Sequence, residues 1–206
     1  MEFDECIHKR RSIRSFSDKK VEKELLLKIV EAGRWAPSGA NIQPWYFYII
    51  EDDSIIESLR SRIYFKTIKR IEKIEKEKRD RILQNIKRFG MLFNAPNLIS
   101  VCVDLSKSRY YLPKTEPQID EVDKLLDNIE VISVGAAIQN MLLKITDLGL
   151  GACWCRVNCF LRRDMEKIIG IKYPYFLIAN IALGYPDEHN AKKSGRKDIK
   201  SICKFI

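Results

Sequence analysis

Ala36-Pro37-Ser38-Gly39-Ala40-Asn41-Ile42-Gln43-Pro44, leading into Trp45-Tyr46-Phe47-Tyr48-Ile49-Ile50, is the stretch from which the fold class is read. Behind it, Leu25, Leu26, Ile29, Val30 and Gly33 fall on one helical face and Glu22, Lys23, Lys28 and Glu31 on the other. Pro37 sets the end of that helix, because a residue before proline avoids the helical region. In front, six aromatic and β-branched residues predict a buried strand. The connector between them is more polar and more constrained than a plain link requires. Ser38, Asn41 and Gln43 offer hydroxyl and amide groups, Pro37 and Pro44 fix the backbone, and Gly39 permits close approach. Such a loop suits a neutral polar ligand, a sugar-like chain or the edge of a heteroaromatic ring. The alternative is a loop whose side chains only cap the preceding helix.

The same alternation continues on both sides. Phe3, Cys6 and Ile7 are spaced for a short amphipathic helix, whereas Arg11 to Phe16 is too ragged for a confident strand. Glu51-Asp52-Asp53-Ser54 opens a helical pattern that runs from Ile56 to Phe93, acidic residues being favoured at a helix N-terminus. Within it, Lys69 to Arg79 is dense in charge and reads as a solvated face with i,i+4 pairs, or else as a nucleic-acid surface. Asn94-Ala95-Pro96 ends the helix, and Leu98 to Asp104 has the continuous apolarity of a strand buried on both faces. The segment Leu105 to Glu121 is irregular, a lid or an exposed loop. Asp127 to Leu148 is a helix whose face Ile129, Ile132, Ser133, Ala136, Ala137, Asn140, Met141 and Lys144 is small at its centre, fit for a core or a tight subunit interface. Gly149-Leu150-Gly151 ends it before the strand Ala152 to Cys155. A helix over Leu161 to Ile169 and a strand over Tyr175 to Leu183 follow. The apolar end Ile202 to Ile206 is able to add a strand to a sheet edge, its own or a partner's. Four strands interleaved with long helices imply an α+β or α/β layered domain.

A chain of 206 residues fits a single domain, 1–206, with a C-terminal arm over about 187–206. Its formal charge of +9 favours anionic partners. No opening run resembles a signal peptide and no apolar stretch reaches the roughly 20 residues that cross a bilayer, so the expected setting is cytoplasmic. Six cysteines are then expected as reduced thiols. Cys153, Cys155 and Cys159 lack the paired C-x2-C of structural zinc sites, and no metal is expected. Gly149-Leu150-Gly151 follows a helix where a dinucleotide fingerprint must follow a strand, and no Walker motif occurs.

Arg10, Arg11 and Arg14, with Ser12 among them, offer the guanidinium forks and hydroxyl that hold a terminal phosphate; a solvated helix end is the alternative. Lys192, Lys193, Arg196 and Lys197 are further donors. Six segments in order then carry a resemblance. They are Arg10 to Phe16, Ala36 to Trp45, Phe93 to Pro96, Ser133 to Leu143, Asp147 to Trp154 and Leu183 to Pro186, and together they resemble the FMN-dependent nitroreductase family. The resemblance implies an α+β, three-layer sandwich with a mixed, mainly antiparallel sheet and an intertwined homodimer with FMN sites at the interface.

Carried over residue by residue, it implies that Arg10, Arg11, Ser12 and Arg14 hold the phosphate and pyrimidine side of FMN. Pro37, Ser38, Gly39, Asn41 and Gln43 would come from the other subunit, the backbone around Trp154, Cys155 and Arg156 would face the ring, and Arg196 would close on the phosphate. Ser194 stands where the family often has a basic residue, and Arg156 where a small or acidic one is common. The implied activity passes two electrons from NAD(P)H to a nitroaromatic, quinone or similar conjugated small-molecule acceptor by a ping-pong mechanism, with the flavin rather than any side chain as the catalyst. Neither nucleic acid nor membrane is an expected partner. A dehalogenating or flavin-consuming branch of the same scaffold is the runner-up, and a basic nucleic-acid module using the Ile63 to Arg88 helix is the rival from another class.

Overall fold

Asn97–Asp104 is buried at all eight positions, so it needs a strand along each edge and cover on each face. The computed structural model, which describes residues 1–89, 94–107, 129–157, 159–187 and 195–206, supplies both. This strand, β2, lies between β1 (Trp45–Ile50) and β4 (Tyr175–Gly184), with β3 (Gly151–Arg156) beyond β4. All three pairings are antiparallel. Among the described residues the parallel element is one isolated bridge, Ser12 to Ala152, on the outer edge of β3. Between Val101 and Cys102 the register with β4 slips, leaving Ile178 as an extra residue. That bulge lets Leu177 and Ala179, two apart in sequence, serve opposite faces.

One face is covered by α2 (Lys23–Arg34) and α5 (Ile129–Asp147). Leu26, Ile29, Val134, Ile138 and Met141 meet Ile99, Val101, Ile181 and Leu183 there. The other face carries α3 (Asp53–Ile71) and α6 (Cys159–Ile169), whose Ile56, Leu59, Leu161 and Met165 meet Leu98, Cys102, Leu177 and Ala182. The result is the helix, sheet, helix sandwich expected of an α+β chain. The short α1 (Phe3–Lys9) buries Cys6 and packs beside α5.

Three local expectations change. The pattern from Ile56 forms two helices, α3 and α4 (Lys76–Phe89), with a turn at 72–75; residues 90–93 lie outside the described set. A single helix over those 38 residues would run about 57 Å, beyond a ten-residue strand of about 33 Å, so the chain must turn. The charge run Lys69 to Arg79 therefore straddles a break instead of lining one face. Second, β1 is not buried throughout: it ends the strand order, and Tyr46 is 44% exposed. Third, the buried face of α5 keeps Ser133, Ala137 and Met141 of the expected set but adds Val134, Ile138 and Ile145, while Ile132 is 71% exposed. The small face still admits a close neighbour, since a Cβ on Gly33 of α2 would stand 2.8 Å from Met141 Cγ.

The tail at Ile202 to Ile206 forms no strand in this chain; a 3-10 turn, Ile199–Ser201, precedes it, and Phe205 and Ile206 are fully exposed. The expected lid or loop at 105–121 lies outside the described residues from 108 onward. Among the described residues no helix is long and apolar enough to cross a membrane.

Candidate active site

The arginine segment is laid along the free edge of β3 and pinned at both ends. At its start Ile13 N donates to Ala152 O at 2.9 Å. Gly151 is required there, because a Cβ at that position would stand 2.8 to 2.9 Å from three Ile13 side-chain carbons. At its far end Asn94 closes a reciprocal pair with Phe16, accepting from Phe16 N at 3.0 Å and donating to Phe16 O at 2.6 Å. Phe16 bridges to Pro186, and Ser17 N donates to Tyr185 O at 3.0 Å. Gly184 leaves room for Phe16 and Pro96 to close over it. Three of the six family-like segments thus exist, in physical terms, to hold this strip in place. Ser12 and Arg14 are exposed along it, Arg10 and Arg11 half-buried. Arg14 Nη1 donates to Ser12 O at 3.2 Å. Arg11 Nη1 donates to His8 O at 2.6 Å and Arg10 O at 2.8 Å, so its cation also serves the carbonyl end of α1.

The loop before β1 is strained and self-braced. Ala40, Asn41 and Gln43 all have positive φ, at 50°, 55° and 48°. Asparagine tolerates that region, but alanine and glutamine each lose on the order of 1 kcal/mol by entering it. The conformation is held by Asn41 N to Ser38 O at 3.0 Å, Gln43 N to the Ser38 hydroxyl at 3.0 Å and Gln43 Nε2 to Asn41 Oδ1 at 3.2 Å. Ser38 therefore braces the loop rather than capping the helix behind it. Asn41 and Gln43 remain exposed, and Pro44 O anchors the loop to the sheet through Asp104 N at 2.6 Å.

The pairing register fixes where these two segments stand. Ser12 is opposite Ala152, Ala152 opposite Leu183, and Leu183 opposite Asn97, at the first residue of β2. The loop delivers Trp45 opposite Val103, six residues further along β2. Six strand residues are about 20 Å, and the four interstrand steps from the strip to β1 add about 19 Å across. Strip and loop thus occupy diagonally opposite corners of one chain's sheet, about 28 Å apart.

On β3, Trp154 is 44% exposed and leans over α5 near Gly135. Cys153 and Cys155 point to the opposite face. Donation from the Cys155 thiol, the Arg14 cation and the Ser12 hydroxyl hold the Cys153 thiol below its ordinary value, against burial. The same hydrogen bond, with burial, pushes Cys155 up. Arg196 is exposed and donates from Nη1 to Gly195 O at 3.0 Å. The side chain of Arg156 and residues 192–194 of the tail lie outside the described set. No cluster of three metal-ligating side chains occurs among the described residues.

The model of the Nitroreductase family matches residues 7–185. This chain belongs to the nitroreductase family. Its backbone superposes on a BluB-like flavoprotein of Clostridium difficile with a TM-score of 0.82 and 30% identity, covering 100% of this chain and 99% of that one. A nitroreductase of Bacteroides fragilis, solved with bound FMN, is 25% identical with a TM-score of 0.70 over 100% of both chains. An Archaeoglobus fulgidus protein, provisionally assigned as an NADH dehydrogenase/NAD(P)H nitroreductase, is 27% identical over 190 residues, 90% of this chain and 87% of its own.

In this nitroreductase-family chain, Arg10 to Arg14 and Trp154 to Arg156 are brought together along the β3 edge, while Pro37 to Gln43 stand at the far corner. A cleft of about 400 Å³ between α1, α2 and α5, walled by Phe3, Trp35 and Leu143, contains none of the sequence-predicted site residues. The closeness of Cys153 to Arg14 was missed. The signal was present in the C-x-C spacing, which puts both thiols on one strand face, but not in anything that ties that face to residue 14.

Proposed function

We propose that this protein is an FMN-dependent oxidoreductase that passes two electrons from NAD(P)H to a nitroaromatic, quinone or similar conjugated acceptor in ping-pong order, working as a homodimer. The observation that carries the reading is the diagonal separation of strip and loop. Both expose ligand-suited groups, yet about 28 Å of sheet divides them in one chain. A second copy bringing its loop against the first copy's strip would complete a site that one chain leaves half built.

The donor chemistry fits the cofactor. A phosphate asks for guanidinium and hydroxyl donors, which Arg10, Arg11, Ser12, Arg14 and Arg196 supply. A polar heteroaromatic edge asks for amides, hydroxyls and a backbone turned outward, which Ser38, Gly39, Asn41 and Gln43, beside Pro37, supply from the partner. The backbone of Trp154, Cys155 and Arg156 would border the ring. FMN, when bound, supplies a carrier that takes up and gives out two electrons. The protein's own part is positional and electrostatic. The strip is fixed to β3 before any ligand arrives, so its cations need no reorganisation, and Arg14 would add positive charge beside the bound cofactor. Trp154 and the partner's loop would shield the bound ring from water. The relatives' names support this reading: one was solved with FMN and one is grouped with NAD(P)H enzymes.

The absorbance spectrum of the purified protein tests it. A yellow protein that releases FMN on heating, bleaches on NAD(P)H addition under anaerobic conditions and loses flavin when diluted to monomer is the expected result. A protein that stays colourless after incubation with FMN, or a monomer that retains flavin, would sink the proposal.

A further inference from the structure

Leu177 of β4 is gripped by α6 at both of its backbone groups. Its carbonyl accepts from Arg162 Nε at 3.0 Å, and its N–H donates to Glu166 Oε1 at 2.9 Å. Arg162 and Glu166 are four apart on α6 and therefore neighbours, beside Leu161 and Met165, which pack against the sheet. Each bond carries an ionised group, which makes it stronger than a neutral one. Arg162 is 6% exposed and Leu177 fully buried, so bulk water does not replace a partner that is lost.

The gripped residue flanks the bulge. Cys102 is opposite Leu177, Val101 is opposite Ala179, and Ile178 between them is the extra residue. Burial, and then the Glu166 carboxylate, pushes the Cys102 thiol up, which places that carboxylate near the β2 side of the bulge too. On the other flank Ala179 is paired twice, with Val101 of β2 and with Arg156, where β3 ends. Asn180 follows, opposite Cys155. The bulge thus stands between a residue clamped by α6 and the pair that closes β3. Bulges add twist, and beside active sites they end a pairing or re-aim a side chain. Without the clamp the extra residue is free to slip one place. Moved from Ile178 to Ala179, it would take Ala179 out of register with Val101 and disturb its pair with Arg156.

We propose that Arg162 and Glu166 are positioning residues for the flavin: by clamping Leu177 they fix the β4 bulge, and through Ala179 and Asn180 they aim the backbone of Arg156 and Cys155 at the ring. The inference rests on the function proposed above, in which that backbone borders FMN. Both side chains act from the α6 layer, through the sheet. A backbone group serves a bound ring only when it is held within about 0.5 Å of its productive place. At Arg156 the β3–β4 ladder stops, so the sheet alone gives that end of β3 no further support, and the clamp supplies it.

The test uses the full-length protein, first free of flavin and then saturated with FMN. Glu166→Ala leaves Leu177 N without its acceptor. In the flavin-free chain, hydrogen exchange over 175–180 is expected to quicken about 5-fold to about 150-fold, the factor for one buried partner lost, and exchange in β3 is expected to quicken with it. With FMN bound, the same variant is expected to shift the visible absorbance of the flavin. It is also expected to lower kcat for NAD(P)H-driven quinone reduction by up to about 100-fold while KM for the quinone stays as in wild type. Glu166→Gln, which keeps an oxygen for Leu177 N, is expected to restore both. If Glu166→Ala does not fold, Glu166→Asp, whose carboxylate is one methylene short of Leu177 N, takes its place in every measurement. Quickened exchange confined to 175–180, or a bound flavin that keeps the wild-type spectrum and kcat, would overturn the proposal and leave the pair a role in packing α6 alone. A wild-type protein that takes up no FMN would instead refute the function proposed above, and the exchange result, which involves no flavin, tells the two failures apart.

Discussion

Replacing Gly151 with alanine probes the joint on which the arginine strip rests. The new Cβ would sit 2.8 Å from Ile13 Cγ2, 2.9 Å from Ile13 Cβ and 2.9 Å from Ile13 Cγ1, against an ordinary carbon contact of about 3.5–4.0 Å. Rotating χ1 does not relieve the clash, because Ile13 Cβ is itself one of the three atoms. The strip's backbone must move, yet Ile13 N is bonded to Ala152 O at 2.9 Å and Phe16 is held by Asn94. Overpacking of this kind costs about 1–3 kcal/mol, or about 5-fold to about 150-fold in the folding constant. Ile13→Ala alone should cost about 1–2 kcal/mol, less than a fully buried isoleucine, since Ile13 is only half-buried. In the double variant two of the three clashing carbons are gone, while Cβ of residue 13 still stands 2.9 Å from the new methyl, so the clash is relieved in part. The double variant should therefore lose less than the sum of the two single losses, a coupling of about 1–2 kcal/mol. Urea denaturation of all four proteins at one fixed concentration measures the cycle. If the two losses simply add, Ile13 and Gly151 are not locked together and the account of how the strip is positioned fails.

Three further outcomes are expected. Under the proposed function, Arg14→Ala should weaken FMN binding by about 10-fold to about 150-fold, the loss of one hydrogen bond to a charged group, and shift the flavin potential negative; fluorescence titration and redox titration that both match wild type would remove Arg14 from the site. Ala40→Gly should raise stability by about 0.5–1 kcal/mol, because φ of 50° strains alanine but not glycine, and a lower denaturation midpoint would show that the loop is not strained as described. The Tyr185 hydroxyl donates to Glu22, and with Lys19 this holds the Glu22 carboxyl down at about 2. Since that value is depressed, the stability it adds is fully present above the free carboxyl value of 4.5 and is lost as pH falls toward 2. Tyr185→Phe should raise the Glu22 titration midpoint in a carboxyl-resolved NMR experiment, and an unmoved midpoint would count against the hydrogen bond.

Much of the sandwich was legible because its signals are local. The apolar run at Leu98 to Asp104 requires burial on both faces wherever it is placed, and Pro37, Pro96, Gly149 and Gly170 mark element ends by backbone chemistry alone. What periodicity did not give is the rotation of α5. Apolar residues surround that helix, so more than one face satisfies a three-four spacing, and only packing against the sheet turns Val134 and Ile138 inward beside the expected Met141 and leaves Ile132 exposed. The turn at 72–75 was equally silent: Glu72 to Glu75 contains no breaker, and the helix turns there because the sheet beneath it has ended.

The site shows the same division more sharply. Residue chemistry identified the arginines and the loop as ligand-suited, since a guanidinium or a side-chain amide has its donors wherever it is put. Only the family resemblance joined the two, across subunits; that they stand apart within one chain depends on β1 and β3 lying at opposite ends of the strand order. Strand order is a long-range outcome, fixed when β2 and β4 pair across about 80 residues, and no single segment encodes it. The separation has a thermodynamic consequence for the proposed dimer. In that dimer each subunit would hold one half of each of two sites, every bound flavin would add contacts across the interface, and flavin affinity would rise with protein concentration as subunit affinity rises with flavin. A flavin dissociation constant that stays the same from well below to well above the dimer dissociation constant would mean that one chain alone makes the site, and the diagonal geometry of strip and loop would then need another explanation.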